Sequence, residues 1–294
     1  MKREAFSLSI TLWISAALMA GSLYFIKTNK ENLKVAIKLQ DKLTAKVELE
    51  STVEILKYYI LLGKLEKNKI INKNQTILPP KLPIDATPFK YKNSTIKIQD
   101  TAGLLNTMYI QGYIKRMFSA LNVTQSAIAI DSLDDWLDKD DFKRLNGAER
   151  FYYQEQHKHY SARNQPYLYA MDEINDIRGF ENIQLEKSNF VHALEVGYNY
   201  YTMKPFVLAV LYGIDLKSAK LLVKQRNKNI TAFESSFAKI EKDYIDELVG
   251  STLVYSTVLK VTISTTINQA KTSKSFLIDM QKNIILYLDD VTSL

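Results

Sequence analysis

Residues 6–26 read FSLSITLWISAALMAGSLYFI, a stretch with no charged residue that follows directly on Lys2, Arg3 and Glu4. As a helix rising ~1.5 Å per residue, these twenty-one residues would span roughly 32 Å, about the thickness of the hydrocarbon core of a bilayer. Basic residues before such a stretch favour a cytoplasmic N-terminus. The sequence therefore predicts one membrane-spanning helix, with everything after Lys27 outside the cytoplasm.

Three interpretations of this segment compete. A secretory signal peptide would have a shorter apolar run and a small-x-small cleavage site, whereas here the run continues through Tyr24, Phe25 and Ile26 into charged sequence. A signal anchor would hold the chain in the membrane without further processing. The third interpretation, a prepilin-type N-terminus, depends on the sequence that follows.

The composition is that of a folded protein and points away from several classes of enzyme. Of 294 residues, 46% are hydrophobic and 24% are charged, which is enough apolar sequence for a real core. The net charge of +7 is spread along the chain, so we interpret it mainly as a solvated surface. The absence of cysteine excludes disulfides, thiolate catalysis and thiolate zinc sites. With only nine glycines and no phosphate-binding loop, a nucleotide-dependent enzyme is not expected.

Helical periodicity continues beyond the membrane segment. No proline occurs from Lys27 to about Leu65, and apolar residues recur at helical spacing, as in Val53, Leu56 and Ile60. A single helix from Phe6 to about residue 64 would be close to 90 Å long. Such a helix is too long for one compact domain, so we expect half of it to project as a stalk.

The rest of the chain predicts a β-containing head interrupted by a helical block. Asparagines and prolines predict a loop between residues 65 and 88, and residues 94–100 alternate as a strand. A helix is predicted at about 107–121, and the sequence reads as almost wholly helical to about residue 250. Strand-like sequence returns at 253–266, 275–280 and 283–288. Since a lone strand leaves its backbone groups unpaired, the first strand should pair with these, and the helical block should be an insertion.

Short motifs follow one another in a recognisable order. They are IQDTAGLLN at 98–106, LDDWLDKDD at 133–141, NGAE at 146–149 and NQPY at 164–167. Together with the charge-free N-terminal helix, they resemble the minor pseudopilin K family of the type II secretion system. The Asp-Trp-Leu-Asp-Lys-Asp run followed by Gly-Ala-Glu is the most specific part, and the resemblance covers most of the chain.

The resemblance implies an α+β fold, in which a pilin-like long N-terminal helix packs on an antiparallel sheet and a large all-helical domain is inserted. The expected divisions are a leader at 1–5, a transmembrane and assembly segment at 6–26, a helix continuation at 27–65, a head at 66–100 and 251–294, and the inserted domain at 101–250. The implied function is structural and non-enzymatic: a subunit at the tip of the periplasmic pseudopilus that primes assembly with minor pseudopilins I and J for protein secretion across the outer membrane.

The N-terminus can be compared with this family residue by residue. Prepilin peptidase would cut between Ala5 and Phe6 and leave a methylated Phe6, in a chain that crosses the inner membrane once with its bulk in the periplasm. The family usually has Gly where Ala5 stands, and Glu4 is an unusual acid in the leader. The fifth mature residue would be Ile10, where most pilins carry Glu to neutralise a neighbour's ammonium group in the membrane. The K family also lacks this Glu, which suits a tip subunit.

Carboxylates cluster in the most specific motif. Six aspartates fall within eleven residues, and the candidate cation ligands are Asp135, Asp138, Asp140, Asp141 and Glu149. Asp135 and Asp138 lie three apart on a predicted helix and repel unless a cation, or a base such as Lys139, Lys143 or Arg144, relieves them. The spacing is not that of an EF-hand. K-family members bind calcium in their helical domain, so the resemblance implies calcium; helix capping and surface ion pairs are the alternative.

A different function remains open at residues 213–226. Their sequence, GIDLKSAKLLVKQR, resembles half of a helix-hairpin-helix, which binds DNA phosphate through backbone amides. A membrane-anchored DNA-binding protein of the competence type would use Lys217, Lys220 and Lys224 for this purpose. However, Asp215 stands where the second glycine of the hairpin is expected, and its carboxylate would repel phosphate. We therefore expect no nucleic acid partner.

Overall fold

Helix α1 is the longest element of the protein. The computed structural model describes residues 2–72, 77–124, 127–162, 165–192, 198–243, 257–282 and 284–288. Within them α1 runs unbroken over Lys2–Leu62, which is about 90 Å at ~1.5 Å per residue. The prediction of a single helix from the apolar stretch to about residue 64 is confirmed. By length and composition, α1 is the one described helix that could cross a membrane.

The first half of α1 stands clear of the rest of the described structure. Its large apolar side chains are exposed from Ile10 to Leu43, whereas Val53, Leu56 and Ile60 are completely buried. The helix changes character along its length because only its second half has a sheet to pack against. It is therefore a stalk at one end and the spine of a domain at the other.

A five-stranded antiparallel sheet packs against the second half of α1. Its strands are β4 (Phe89–Tyr91), β5 (Ser94–Asp100), β8 (Val258–Ile267), β9 (Ala270–Asp279) and β10 (Ile284–Leu288). The spatial order is β10-β9-β8-β5-β4, and β5 pairs with β8 from Ser94 opposite Thr265 to Asp100 opposite Leu259. The predicted α+β fold, with a long helix on an antiparallel sheet, is confirmed. We call α1 after residue 45, residues 64–100 and residues 258–288 the head.

Strand alternation decides which face of this sheet meets α1. In β5, Ile96 and Ile98 are buried while Lys97 between them is exposed, because successive side chains point to opposite faces. Val261 and Ile263 of β8 follow the same rule. These side chains join those of α1, β9 and the preceding loops in one hydrophobic cluster. The head therefore has a core of its own.

A second sheet occupies the segment predicted to be a loop. Strands β1 (Lys64–Glu66), β2 (Lys69–Ile71) and β3 (Lys81–Pro83) pair antiparallel in that order. Ile70 and Leu82 bury their side chains in the head core. Three-residue strands are too short for alternation to be visible in a sequence, and Pro83 is tolerated because β3 is an edge strand. The prediction of a loop is wrong here.

Residues 101–257, which we call the inserted domain, connect β5 to β8 and hold a separate hydrophobic cluster. Its helices are α2 (Ile110–Ala120), α3 (Ala127–Leu137), α4 (Arg150–Glu155), α5 (Pro205–Tyr212), α6 (Leu216–Lys228) and α7 (Ile230–Asp243). Two-residue strands β6 (Leu105–Asn106) and β7 (Phe190–Val191) pair in parallel. The domain is less regular than its sequence suggests, since residues 138–149 contain neither helix nor strand. Hydrogen bonds to carboxylates, rather than the backbone hydrogen bonds of a helix, fix the path of much of that loop.

The inserted domain leaves the head and returns to it at one place. The hydroxyl of Thr101 donates to the carbonyl oxygen of Val258 at 2.9 Å. Nearby, the amide of buried Asn199 donates to the Lys67 carbonyl oxygen at 2.9 Å and to the Asp100 carboxylate at 2.7 Å. Buried hydrogen bonds therefore tie the two domains together at the splice point. The predicted end of the helical block near residue 250 lies outside the described residues.

Candidate functional site

Carboxylates converge where α3 ends. Asp135 lies in the last turn of α3 and is completely buried, and Asp138 is the first residue after that helix. The Asp138 N–H still donates to the Asp134 carbonyl oxygen at 2.9 Å, so the helical spacing extends to this residue. Residues three apart share one helix face, which brings the two carboxylates to the same side.

Glu149 approaches the same point from the other end of the loop, immediately before α4. Its side chain is only 2% exposed, and neither carboxylate oxygen makes a well-formed hydrogen bond with a described residue. Burial, followed by the charges of Asp135 and Asp138, raises the pKa of Glu149 to about 7, against a smaller opposing effect of the Arg150 amide. The group is thus held in a place that disfavours its charged form.

These three carboxylates have the spacing that a single cation requires. One oxygen from each of Asp135, Asp138 and Glu149 lies within 4.8 Å of the others. Calcium binds carboxylate oxygens at about 2.3–2.6 Å, so ligands on opposite sides of the ion are about 5 Å apart. Oδ1 of Asp138, like both oxygens of Glu149, is buried without a hydrogen-bond partner among the described residues. The donor set therefore fits a hard divalent cation.

Arg144 provides the positive charge that the described residues bring to this site. Its guanidinium donates to Asp135 Oδ1 at 2.8 Å and to Asp138, and its Nε lies 3.8 Å from Asp134. The hydrogen bonds to Asp138 and Asp135 raise the pKa of Arg144 above its already high value. Arg144 makes no hydrogen bond to Glu149, whose buried oxygens have no hydrogen-bond partner among the described residues.

Gly147 allows the loop to lie directly on the carboxylates. A Cβ at this position would overlap the Asp135 carboxylate. Just before Gly147, the Arg144 N–H donates to Asp135 at 3.2 Å and the Asn146 N–H donates to Asp131 at 3.0 Å. This role of Gly147 was not predicted from the sequence, where its only signal is its place two residues before Glu149.

Two of the five predicted ligands lie apart from this group. Asp140 and Asp141 are exposed, and Asp140 accepts a hydrogen bond from the Phe142 N–H at 2.9 Å, as in a turn. The structure brings together Asp135, Asp138 and Glu149, and it places Asp140 and Asp141 on the outer rim of the loop. Sequence proximity to α3 was not sufficient, because the chain turns away from the helix after Asp138.

At the N-terminus, α1 passes through the proposed cleavage point without interruption. The side chains of Ala5 and Phe6 lie outside the described residues. Ile10 is 43% exposed, and no described residue packs over this part of the helix. An apolar side chain in this position suits a lipid environment.

The hairpin-like segment does not present a free phosphate site. Gly213, in the left-handed conformation, caps the C-terminus of α5. Asp215 caps the N-terminus of α6, where its side chain accepts a hydrogen bond from the Ser218 N–H at 2.9 Å. Hydrogen bonds from the Ser218 hydroxyl and the Ser218 N–H lower the pKa of Asp215, which favours its ionised form. A carboxylate therefore occupies the helix N-terminus that a DNA phosphate would need. Exposed lysines on α6, namely Lys217, Lys220 and Lys224, are therefore not accompanied by a helix N-terminus that is open to phosphate.

Comparison with known proteins finds a family model that matches part of the chain and a solved structure with a similar fold. Residues 99–194 match the family model described as type II secretion system (T2SS), protein K. In the crystal structure of the GspK-GspI-GspJ complex from the type 2 secretion system of enterotoxigenic Escherichia coli, one chain matches with a TM-score of 0.56 at 18% identity. The match covers 90% of this chain and 99% of that chain. No curated protein sequence matches significantly.

Proposed function

We propose that the chain, whose residues 99–194 match protein K of type II secretion systems, is the minor pseudopilin at the tip of the pseudopilus, where it primes assembly for protein secretion across the outer membrane. The observation that carries the proposal is the match of the inserted domain to protein K on a scaffold with a pilin-like helix and sheet. Such a subunit is a structural component of the secretion machinery rather than an enzyme.

The membrane segment supports insertion and processing. α1 is long and apolar enough to cross a membrane, and the basic residues before its apolar segment favour a cytoplasmic N-terminus in the inner membrane. We propose that prepilin peptidase cuts between Ala5 and Phe6 and that Phe6 is then methylated. Mass spectrometry of the native N-terminus measures this directly, and an intact Met1 would leave an uncleaved anchor instead.

The exposed stalk supports partnership with minor pseudopilins I and J. Beyond the apolar segment, Leu33, Leu39, Leu43 and Val47 are each more than half exposed along α1. A solvated helix would seldom carry so many large apolar side chains without a partner. The fold neighbour is a chain of a GspK-GspI-GspJ complex, which supports I and J as the partners.

Ile10→Glu tests the tip position. Ile10 provides no carboxylate for the N-terminal ammonium of another subunit, so the chain has no reason to dock beneath one. With Glu at this position, we expect the subunit to compete for places within the filament and secretion to fall towards the level of a strain lacking the gene. The measurement is secretion of an exported enzyme by a complemented deletion strain.

Ile14→Glu is the control, because it places the same carboxylate in the same apolar stretch one helical turn away. Comparable membrane levels of both variants are required for the comparison. Full secretion by the Ile10→Glu strain would refute the tip role, whereas full secretion by the deletion strain itself would refute the proposed function.

We also propose that Asp135, Asp138 and Glu149 bind calcium. The support is the spacing of their oxygens, the buried unpartnered oxygens of Asp138 and Glu149, and the Gly147 backbone that closes over them. Calcium takes six to eight oxygen ligands, so further oxygens must complete the shell. Bound calcium would supply charge compensation and would cross-link α3 to the start of α4.

Calcium should stabilise the full chain in detergent more strongly at pH 8 than at pH 5. The pKa of Glu149 is raised in the folded protein, so without calcium the stability falls as pH rises from about 4.5 through 7. Calcium favours the ionised carboxylate and reverses this loss. Thermal unfolding with calcium or with a chelator measures the effect.

Glu149→Gln separates this effect from a general charge effect. We expect the variant to be more stable than wild type at pH 8 without calcium and to lose the calcium response. Glu155→Gln, which alters an exposed carboxylate at the end of α4, should behave as wild type. A wild-type chain with no calcium-dependent change in melting temperature at pH 8 would eliminate the cation site.

A further inference from the structure

Arg144 holds an unusual position for a residue beside a proposed cation site. Its side chain is 40% exposed, whereas the Asp135 side chain to which it donates is completely buried. The guanidinium thus lies over the carboxylates from the solvent side. It contacts two of the three proposed ligands, Asp135 and Asp138, and also lies near Asp134.

We propose that Arg144 is a built-in competitor of the cation, which occupies the carboxylates when the site is empty and lowers the affinity of the site for calcium. The inference rests on the proposed calcium site. Its physical basis is that a guanidinium and a divalent cation that share Asp135 and Asp138 compete for the same carboxylate oxygens and repel each other at short range. To bind, calcium must therefore displace the guanidinium and break its ion pairs, which lowers the calcium affinity.

The charges of the site show why the exchange is possible in both directions. Asp135, Asp138 and Glu149 carry three negative charges when ionised, and Arg144 offers one positive charge that does not reach Glu149. A divalent ion offers two and can contact all three carboxylates. Since the Arg144 guanidinium is partly solvated already, its release into water costs less than the release of a buried ion would.

The exchange also concerns the loop that carries Arg144. Phe142 and Leu145 are 84% and 92% exposed, more than any described large apolar side chain of the membrane segment, of which Trp13 at 74% is the most exposed. These two apolar side chains flank the arginine in sequence, and the guanidinium is one of the anchors of their loop. Cation binding would therefore change the positions of Phe142 and Leu145 on the surface.

Calcium titration calorimetry on the full chain in detergent tests the competition. Arg144→Gln should bind calcium about tenfold more tightly than wild type, which corresponds to about 1.4 kcal/mol. Arg144→Lys, which keeps the charge but loses the planar two-carboxylate contact, should lie between them. Lys143→Gln removes the same charge from the exposed neighbouring position and controls for long-range electrostatics. The calcium affinity of this variant should stay within about twofold of wild type, which corresponds to about 0.4 kcal/mol.

The calcium affinities of wild type and the three variants either support or overturn the competition. Equal affinities of wild type and Arg144→Gln, or weaker binding by Arg144→Gln, would overturn the competition while leaving the calcium site in place. Binding by Arg144→Gln alone would support the competition in its strongest form. Binding by none of the four proteins would refute both the calcium proposal and this inference.

Trypsin provides a second readout that does not depend on calorimetry. Cleavage after Arg144 requires its guanidinium to enter the protease pocket, which the contacts with Asp135 and Asp138 prevent. Calcium should therefore speed cleavage after Arg144 relative to cleavage after Lys143, whose side chain is exposed in either state. An unchanged ratio, or a lower one with calcium, would contradict release of the arginine.

Discussion

We expect a chain in which residues 103–256 are replaced by a short glycine-serine linker to fold cooperatively as the head alone. All the buried residues of the head core lie outside this range, from Leu49 in α1 to Ile278 in β9. The two ends of the deletion are already in contact, since Thr101 donates to the Val258 carbonyl oxygen at 2.9 Å. A shorter connection also lowers the entropic cost of pairing β5 with β8.

The shortened chain loses some stability but should keep a single unfolding transition. The main loss is at the splice point, where Asn199 no longer donates to Asp100 and Lys67. A lost hydrogen bond costs about 0.5–1.5 kcal/mol when water can replace the donor, which is well below the contribution of a whole core. Denaturation followed by far-UV circular dichroism measures the transition.

A core variant of the same shortened chain serves as its control. Val261→Asp would bury a charge between β8 and α1 and should abolish the transition. If the shortened chain itself shows only gradual unfolding, or aggregates as the control does, the head is not an independent folding unit. Secretion should be lost with the shortened chain in either case, because the domain that matches protein K is missing.

The second large effect is expected from Trp136→Ala in the inserted domain. Trp136 is 1% exposed, packs edge-on against Tyr153 with ring centroids 5.1 Å apart, and donates through Nε1 to Glu173 at 2.9 Å. Truncation leaves a large cavity and removes the indole N–H that donates to Glu173, so we expect a loss of about 4 kcal/mol in the free energy of unfolding. Because Trp136 follows Asp135 on α3, calcium binding should weaken as well.

Phe142→Ala is the matched control for this prediction. It removes an aromatic ring from the same domain, but from a side chain that is 84% exposed, so the change should stay within about 0.5 kcal/mol. Trp136→Phe keeps most of the ring volume and isolates the contribution of the Nε1 hydrogen bond. A loss below about 1 kcal/mol for Trp136→Ala would mean that the α3 core is not packed as described.

Long, strongly patterned elements could be predicted from the sequence. The absence of charge from Phe6 to Ile26 and the helical spacing through Ile60 were sufficient for α1, and alternation about Lys97 was sufficient for β5. The three-residue strands β1, β2 and β3 were missed because they contain less than two periods of alternation. In their place, asparagine and proline content predicted only a loop.

The candidate site was predictable in composition but not in arrangement. Aspartates at helical spacing indicated a shared face for Asp135 and Asp138, because that geometry is local. The inclusion of Glu149 with them, and the displacement of Asp140 and Asp141 to the rim, depend on the path of the loop over Gly147. The choice of Arg144 among three nearby bases depends on the same path.

The sequence by itself determined what depends on neighbours along the chain: a membrane-length apolar helix, its continuation as a stalk, the existence of strands on either side of a helical block, and a concentration of carboxylates. Only the tertiary structure decided that Ser94 faces Thr265, that Glu149 is buried beside Asp135 and Asp138, and that an arginine lies over them. The reason is physical: periodicity records which face of an element is buried, whereas contacts between distant segments depend on packing and charge compensation that no local pattern encodes.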